Sequence, residues 1–256
     1  NGEVSMANSD GLILHYMSMR RAIGRLGLLF PIILVVGSIL FGDMANLGGD
    51  IMRLSISQYY HSPMGDVFVG VLCAEAIFLY AYQGYKDTPE QAARRPWYYI
   101  SDNAAGNIAA VAAAGTAIFP TLETKDVLAG IPFGISSYLH WFFSLLFFLI
   151  LAYFCLCLFT KSSDAEPTLQ KRRRNKIYRL CGWTMLSMIG LGAVYLILGK
   201  YILSTEQIAA IEAYSPTFWL ETISVWAFGL SWYVKGEAIL KDMPYEEEEA
   251  EAEPAG

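Results

Sequence analysis

Hydrophobic residues along the chain gather into six long apolar stretches, which are separated by shorter polar segments. Each stretch is close to the roughly 20 residues that a helix needs to cross the hydrocarbon core of a bilayer. The pattern therefore predicts an all-α fold, a polytopic transmembrane bundle of six helices. The predicted spans are 23–42, 64–82, 99–119, 138–160, 180–202 and 217–234.

The composition indicates a chain that is solvated by lipid. Hydrophobic residues make up 55% of the chain and charged residues only 16%, whereas soluble globular proteins carry roughly 25% charged residues. The mean hydropathy is +0.37. A soluble domain of this size could not bury so much apolar side chain behind so few charges, so a soluble enzyme domain is excluded.

The basic residues are distributed unequally between the two sides of the predicted bundle. Of the 18 Lys and Arg residues, only Arg53, Lys125 and Lys200 fall on one side. Cytoplasmic loops carry an excess of Lys and Arg, so we expect both termini to be cytoplasmic. The predicted segments are a cytoplasmic N-terminus at 1–22, a six-helix transmembrane domain at 23–235 and an acidic cytoplasmic tail at 236–256.

Charge also bears on the partners of the chain. The net charge is −6, which argues against a basic surface for nucleic acid. The basic run 171–176 lies beside the fifth predicted span, where we interpret it as an anchor at anionic headgroups. We expect membrane lipids as partners and no nucleic acid, and the sequence leaves a protein partner or a homo-oligomer open. Residues 1–5 precede Met6 and are interpreted as a cloning remnant.

Four ionisable side chains fall at one depth, near the outer ends of three predicted spans. They are His61, Asp66, His140 and Glu221. Ionisable groups inside a membrane are costly and mark functional sites, and two imidazoles with carboxylates can hold zinc while leaving a position for water. We therefore predict His61, His140 and Asp66 as metal ligands. Glu221 and the nearby Ser57 are the predicted catalytic residues, with Glu221 as a further ligand or as the general base.

The same residues also fit a structural interpretation, in which they form interhelical hydrogen bonds and helix caps near the headgroups. The second span bears on this choice because it carries small residues, which let membrane helices approach each other. Counted from Asp66, they follow the spacing i, i+4, i+7 and i+8 of one helix face. We expect this face, formed by Asp66, Gly70, Cys73 and Ala74, to pack against protein rather than lipid.

A second polar group lies deeper and toward the predicted cytoplasmic side. Its members are Glu75, Asp102, Asn103, Asn107 and Lys235. Such residues can line a transport or proton path through a membrane. They can equally hold helices together, with Asp102 paired to Lys235 or to a basic loop residue. Glu75 lies on the opposite side of its helix from the first group, so we expect it to be neutral there or paired with Asn103 or Asn107.

Five segments carry distinctive motifs. They are SISQYYHSPMGDVFVG at 55–70, SDNAAG at 101–106, FPT at 119–121, YLHWFF at 138–143 and PTFWLETISVWAFGLSWYVKGE at 216–237. In these segments the chain resembles an uncharacterised bacterial family of six-span membrane proteins. The resemblance extends over nearly the whole chain after Arg20 and implies the bacterial inner (plasma) membrane as its location.

A weaker resemblance concerns Ser57-x-x-x-His61 followed by Asp66. These residues resemble one element of the superfamily of alkaline ceramidases and adiponectin-type receptors, which are seven-span proteins. The resemblance implies a zinc-dependent amide hydrolase. The second element of that superfamily, His-x-x-x-His, is absent because the chain has only 3 histidines, so Glu221 would have to replace a histidine ligand.

Taken together, these features predict an inner-membrane protein in which spans two, four and six form an outward-facing polar pocket. The leading hypothesis is a pocket that binds a lipid-like ligand and acts as a metal-dependent hydrolase on a lipid or an amide, with zinc as the cofactor. A second hypothesis is a small proton-coupled carrier. Its residues would be Asp102, Asn107, Glu221 and Lys235. A third is a structural or sensory subunit whose acidic tail docks a partner.

Overall fold

The computed structural model of the chain describes residues 2–42, 52–84, 99–121, 127–128, 131–161 and 168–241. Seven α-helices lie in these residues, and the all-α prediction is confirmed. The helices are α1 (Gly2–Leu40), α2 (Gly65–Ala81), α3 (Asp102–Ile118), α4 (Phe133–Tyr153), α5 (Leu169–Tyr201), α6 (Thr205–Glu212) and α7 (Pro216–Lys235). The predicted acidic tail lies outside the described residues from 242 onward.

Shorter elements extend this helical framework. A 3-10 helix, Ser57–His61, precedes α2, and a π-helix, Phe154–Leu158, continues α4. Two strands of two residues each, β1 (Val127–Leu128) and β2 (Ile131–Pro132), pair antiparallel before α4. In their register Val127 lies opposite Pro132 and Leu128 opposite Ile131.

The helices begin at residues that satisfy free backbone N–H groups. Ser101 caps α3 and Thr168 caps α5, each by accepting a hydrogen bond from the backbone N–H three residues later. Ser204 and Gln207 form a capping box at α6. At α7 the first residue is Pro216, whose missing N–H is not needed in a first turn. The local sequence thus sets these boundaries.

Among the described residues, three helical segments are long and apolar enough to cross a membrane. They are Tyr16–Leu40, Gly134–Leu158 and Leu169–Tyr201. The chain is therefore a membrane protein, as its composition predicts. Helices α2 and α3 have 17 residues each, which makes them about 25 Å long beside a hydrocarbon core of about 30 Å. Six complete spans and two cytoplasmic termini stay predictions.

Six of the helices form a closed ring in which each helix packs against two neighbours. The order around the ring is α1, α2, α3, α4, α5, α7 and back to α1. Each of these six helices overlaps one of the six predicted spans, although α1 and α5 begin well before the predicted bounds. The short helix α6 has no buried residue and takes no part in the ring. The ring encloses an interior, and the candidate site lies there.

Helices α1 and α7 approach each other closely at two glycines. A Cβ atom on Gly24 would lie 2.6 Å from the backbone nitrogen of Tyr233, and a Cβ atom on Gly229 would lie 2.7 Å from the backbone nitrogen of Leu28. Small residues permit such backbone contacts between membrane helices. Gly24 and Gly229 therefore set the distance between α1 and α7, and with it the closure of the ring.

Residues 52–64, which precede α2, pack at one end of the ring, and we call them the plug segment. Ile56 and Tyr59 are buried against side chains of α1, α2 and α7. The ring of Phe218 lies 6.2 Å from that of Tyr59, and the N–H of Phe218 donates a hydrogen bond of 2.9 Å to the Leu54 carbonyl. The plug segment is therefore part of the packed core.

Candidate functional site

A cavity of about 60 Å³ lies inside the ring, beside the plug segment. Residues of α1, α2, α3, α4 and α7 line it, so it differs from the outward-facing polar pocket that was predicted between spans two, four and six. Five lining side chains are polar, namely Ser57, Glu75, Thr116, Ser144 and Glu221. The other lining residues are Gly27, Phe30, Ile56, Phe68, Val71, Leu72, Phe147, Phe148, Val225 and Phe228. The cavity is thus mainly apolar, with two carboxyl groups in its wall.

Glu75 is the unusual member of this set. It is 3% exposed, and among the described residues neither of its carboxyl oxygens has a hydrogen-bond partner. A carboxyl group that is sealed from water and has no partner is stable only with a proton, or with water or a cation beside it. Glu75 is therefore a buried polar group of the cavity wall whose carboxyl oxygens have no partner among the described residues.

The prediction for the faces of α2 is wrong. Asp66 and Gly70 are exposed, and a Cβ atom on Gly70 would meet nothing within 4 Å. Phe68, Leu72 and Glu75 are buried instead. The interior of a ring of helices is filled by large apolar side chains, because protein interiors are closely packed. The bulky face of α2 therefore points inward, and it brings Glu75 to the same cavity as Glu221.

Glu221 joins α7 to the plug segment. One of its carboxyl oxygens, Oε2, accepts a hydrogen bond of 2.6 Å from the backbone N–H of Ile56, and the backbone N–H of Ser57 also faces this carboxyl group. These N–H groups belong to the start of the 3-10 helix, which has no side-chain cap of its own. Glu221 therefore supplies the cap from another helix, as an acceptor for free N–H groups.

His140 and Ser57 form a hydrogen-bonded pair next to the cavity. His140 is 1% exposed, and its Nδ1 lies 2.7 Å from the Phe119 carbonyl oxygen and 3.1 Å from that of Thr116. Carbonyl oxygens near the end of α3 lack helical partners, so Nδ1 carries the hydrogen and donates it to them. The other nitrogen, Nε2, lies 2.9 Å from the Ser57 hydroxyl and can accept a hydrogen bond from it.

His61 lies apart from this pair. It is exposed, and its Nε2 contacts the Thr121 carbonyl oxygen. With Asp66 also exposed, the three predicted zinc ligands differ in burial, because only His140 is enclosed by the bundle. The part of the chain that the structure describes contains no group of three or more His, Cys, Asp or Glu residues that could hold a metal ion. A zinc ion stays a prediction, and these positions do not favour it.

The second predicted group separates into different environments. Asp102 is 3% exposed, and its Oδ2 forms an ion pair of 2.7 Å with the Lys161 ammonium group. Asp102 is thus paired with a basic residue that follows α4. This pairing is the one expected if Asp102 holds helices together. The ammonium group of Lys235 lies instead 5.3 Å from the centre of the Phe159 ring.

Asn103 and Asn107 do not meet Glu75. Both are exposed, whereas Gly106 between them packs against the backbone of α2, where a Cβ atom would lie 2.8 Å from the Leu79 carbonyl oxygen. The expected pairing of Glu75 with either asparagine is therefore wrong. The alanine and glycine face of α3 takes the inner position, and its asparagines point outward.

Two further polar residues line the cavity, Ser144 and Thr116. Ser144 follows His140 by four residues, so the two side chains share one face of α4, and this spacing is a signal that identifies Ser144. Thr116 is harder to recognise from the sequence as a residue of the cavity. Its hydroxyl donates a hydrogen bond of 2.9 Å to the Ala112 carbonyl of its own helix, as a threonine does anywhere in a membrane helix.

The fold and the site define a class: a helical membrane protein whose ring of six helices encloses a small cavity with two carboxyl groups. Residues 29–232 match the family described as Protein of unknown function (DUF998), and the chain belongs to this family. Membership in an uncharacterised family is as predicted, whereas the resemblance to alkaline ceramidases is not supported. Comparison with curated proteins and with solved structures gives no match.

Proposed function

We propose that the protein moves protons across the membrane through the ring cavity, with Glu75 as the proton-binding group. The observation that supports this is the carboxyl group of Glu75, which lines an apolar cavity without a partner among the described residues. Carboxyl groups placed in this way inside a membrane serve as proton relays in pumps and transporters.

The size of the cavity favours protons and water over a lipid-like ligand. Its volume of about 60 Å³ has room for a few water molecules and is small beside the roughly 300–1,000 Å³ that is usual for ligand pockets. Water there has the polar partners that an ordered water needs, in the Glu75 and Glu221 carboxyl groups and the Ser57 hydroxyl. A short water chain between these groups can pass a proton from Glu75 to Glu221.

Glu221 gives this path a means of opening. Its carboxyl oxygen accepts the hydrogen bond from Ile56, and a charged acceptor binds an N–H group about twice as strongly as a neutral one. A proton that arrives at Glu221 therefore weakens the hold of α7 on the plug segment. In this mechanism, proton binding at Glu221 loosens the plug segment, and proton release tightens it again.

Glu75→Gln is expected to reduce proton flux to the level of protein-free vesicles. The change keeps the shape of the side chain and removes the group that takes up the proton. The protein would be reconstituted into vesicles that contain a pH-sensitive dye, with flux started by an acid pulse. Glu206→Gln is the matched control, because Glu206 is exposed on α6 and should leave the flux unchanged.

A chemical readout accompanies the flux measurement. Dicyclohexylcarbodiimide modifies protonated carboxyl groups in apolar surroundings, so mass spectrometry should find it on Glu75 and not on Glu206. Wild-type flux no higher than that of empty vesicles under a proton gradient, or full flux in a folded Glu75→Gln protein, would refute the proposal.

A second candidate function is hydrolysis at Ser57, which the 2.9 Å contact between Ser57 and His140 favours. A histidine in hydrogen-bond reach can act as the base that activates a serine nucleophile. This version needs no metal ion. It predicts that a fluorophosphonate probe labels the wild-type protein and the Ser144→Ala variant, but not Ser57→Ala. Equal labelling of all three proteins, or no labelling of any, would exclude a nucleophilic Ser57.

A further inference from the structure

An apolar groove runs along the outside of the ring between α1, α5 and α7. Its volume is about 560 Å³, which falls within the roughly 300–1,000 Å³ that is usual for ligand pockets. Its walls include Leu29 and Ile32 of α1, Leu180 and Thr184 of α5, and Trp226 and Leu230 of α7. A second apolar groove of about 220 Å³ adjoins it at Ile32 and Trp226. The two grooves together form one elongated apolar groove on the membrane-facing side of the ring.

The α5 wall of the groove, at Leu180 and Thr184, lies near the end of the packed part of this helix. All buried residues of α5 lie between Gln170 and Met185, and no residue of 186–201 is buried. The first part of α5 packs against α7, and the remainder does not join the core. Among the described residues no side chain fills the groove beside α1 and α7, and hydrocarbon is the medium that can.

Positive charge lies at one end of the groove. Arg25 is exposed and precedes Leu29 and Ile32 by four and seven residues, so it lies on the groove face of α1. Among the described residues Arg25 has no hydrogen bond or ion pair. On α5, Arg173 precedes Leu180 by seven residues and lies on the groove face in the same way. The groove therefore has a cationic end and apolar walls, which match the headgroup and the acyl chain of an acidic lipid.

We infer that this groove is a binding site for one anionic phospholipid, whose phosphate is held near Arg25 and Arg173 and whose acyl chain lies along α1 and α7. Guanidinium groups bind phosphate with two parallel hydrogen bonds. Both arginines lie at the end of the bundle that the distribution of basic residues assigns to the cytoplasm, where anionic lipids attract basic side chains. The site is separate from the ring cavity and does not depend on proton transport.

Native mass spectrometry of the detergent-purified protein tests this inference. Titration with phosphatidylglycerol should give one tightly bound lipid per chain, and phosphatidylcholine should bind more weakly. Arg25→Ala should weaken phosphatidylglycerol binding about fivefold, the factor expected for one cation close to anionic lipid. Arg179→Ala is the matched control, because Arg179 is exposed on α5 but lies away from the groove face, and its binding should equal that of the wild type.

A variant that fills the groove completes the test. Thr184 is half-buried in the groove wall, and Thr184→Trp should displace the acyl chain and abolish binding of both lipids. The inference is overturned if the two lipids bind equally well to the wild type. It is also overturned if Arg179→Ala weakens binding as much as Arg25→Ala, or if Thr184→Trp leaves binding intact. Circular dichroism of each variant confirms that it is folded.

Discussion

Gly229→Ala lowers the stability of the protein by about 3 kcal/mol, the upper part of the range for overpacking in a tight interior. The added methyl group would lie 2.7 Å from the Leu28 nitrogen and 2.9 Å from the Gly24 carbonyl oxygen. Both are backbone atoms, so no side chain can turn away to relieve the contact. Helices α1 and α7 have to separate, and the ring opens on that side. Thermal unfolding in detergent, followed by tryptophan fluorescence, measures the loss.

Gly70→Ala is the matched control for this prediction. Gly70 is also helical, but a Cβ atom there meets nothing within 4 Å. Alanine is favoured over glycine in a helix by up to about 1 kcal/mol, so the Gly70 variant should be as stable as the wild type or more so. If Gly229→Ala and Gly70→Ala unfold at the same temperature, the close approach of α1 and α7 is not required for stability.

Asp102→Ala is the second substitution with a large expected effect. It leaves the Lys161 ammonium group without its carboxylate, and removing one partner of a buried ion pair costs about 3–5 kcal/mol. The lower end applies, because the Lys161 side chain is 23% exposed while that of Asp102 is 4% exposed. The Tyr82 hydroxyl, which donates to Asp102 over 3.5 Å, loses its acceptor as well. The same thermal unfolding measurement detects the change.

Asp66→Ala provides the comparison, because Asp66 also lies in the first turn of a 17-residue helix but is exposed. Its loss should cost well under 1 kcal/mol, as for a surface charge near a helix start. Replacing both members of the pair, with Leu at 102 and Met at 161, should recover most of the stability lost in Asp102→Ala. A double variant as unstable as Asp102→Ala would show that the ion pair is not the source of the effect.

Much of the helical framework could be predicted from the chain. Apolar runs near 20 residues identify all six helices of the ring, because each run reflects the solvent around its own helix. Capping chemistry within one turn accounts for the helix starts at Ser101, Thr168 and Pro216, whereas the apolar run alone places the start of α5 at 180 rather than at Leu169. The approximate depth of Ser57, His140 and Glu221 could be predicted as well, because depth depends on distance from the helix end alone.

The inward faces of the helices could not be predicted. The face of α2 that carries Asp66, Gly70, Cys73 and Ala74 has small side chains, which suggests that it packs against other helices. In the structure the opposite face, with bulky side chains, packs inside the ring. Both faces are compatible with the spacing in the sequence, and the choice depends on how much space the other helices leave. That space is known only when the order of packing around the ring is known.

The amino-acid sequence by itself thus determines the class of the protein, the approximate positions of its helices and the depth of each polar group. These properties depend on interactions within one helix or between one helix and lipid. The partners of the polar groups depend on the closed ring. Asp102 meets Lys161, Glu221 meets Ile56, and Glu75 meets no partner among the described residues. Such contacts join residues far apart in the chain, and helix periodicity carries no information about which helices become neighbours.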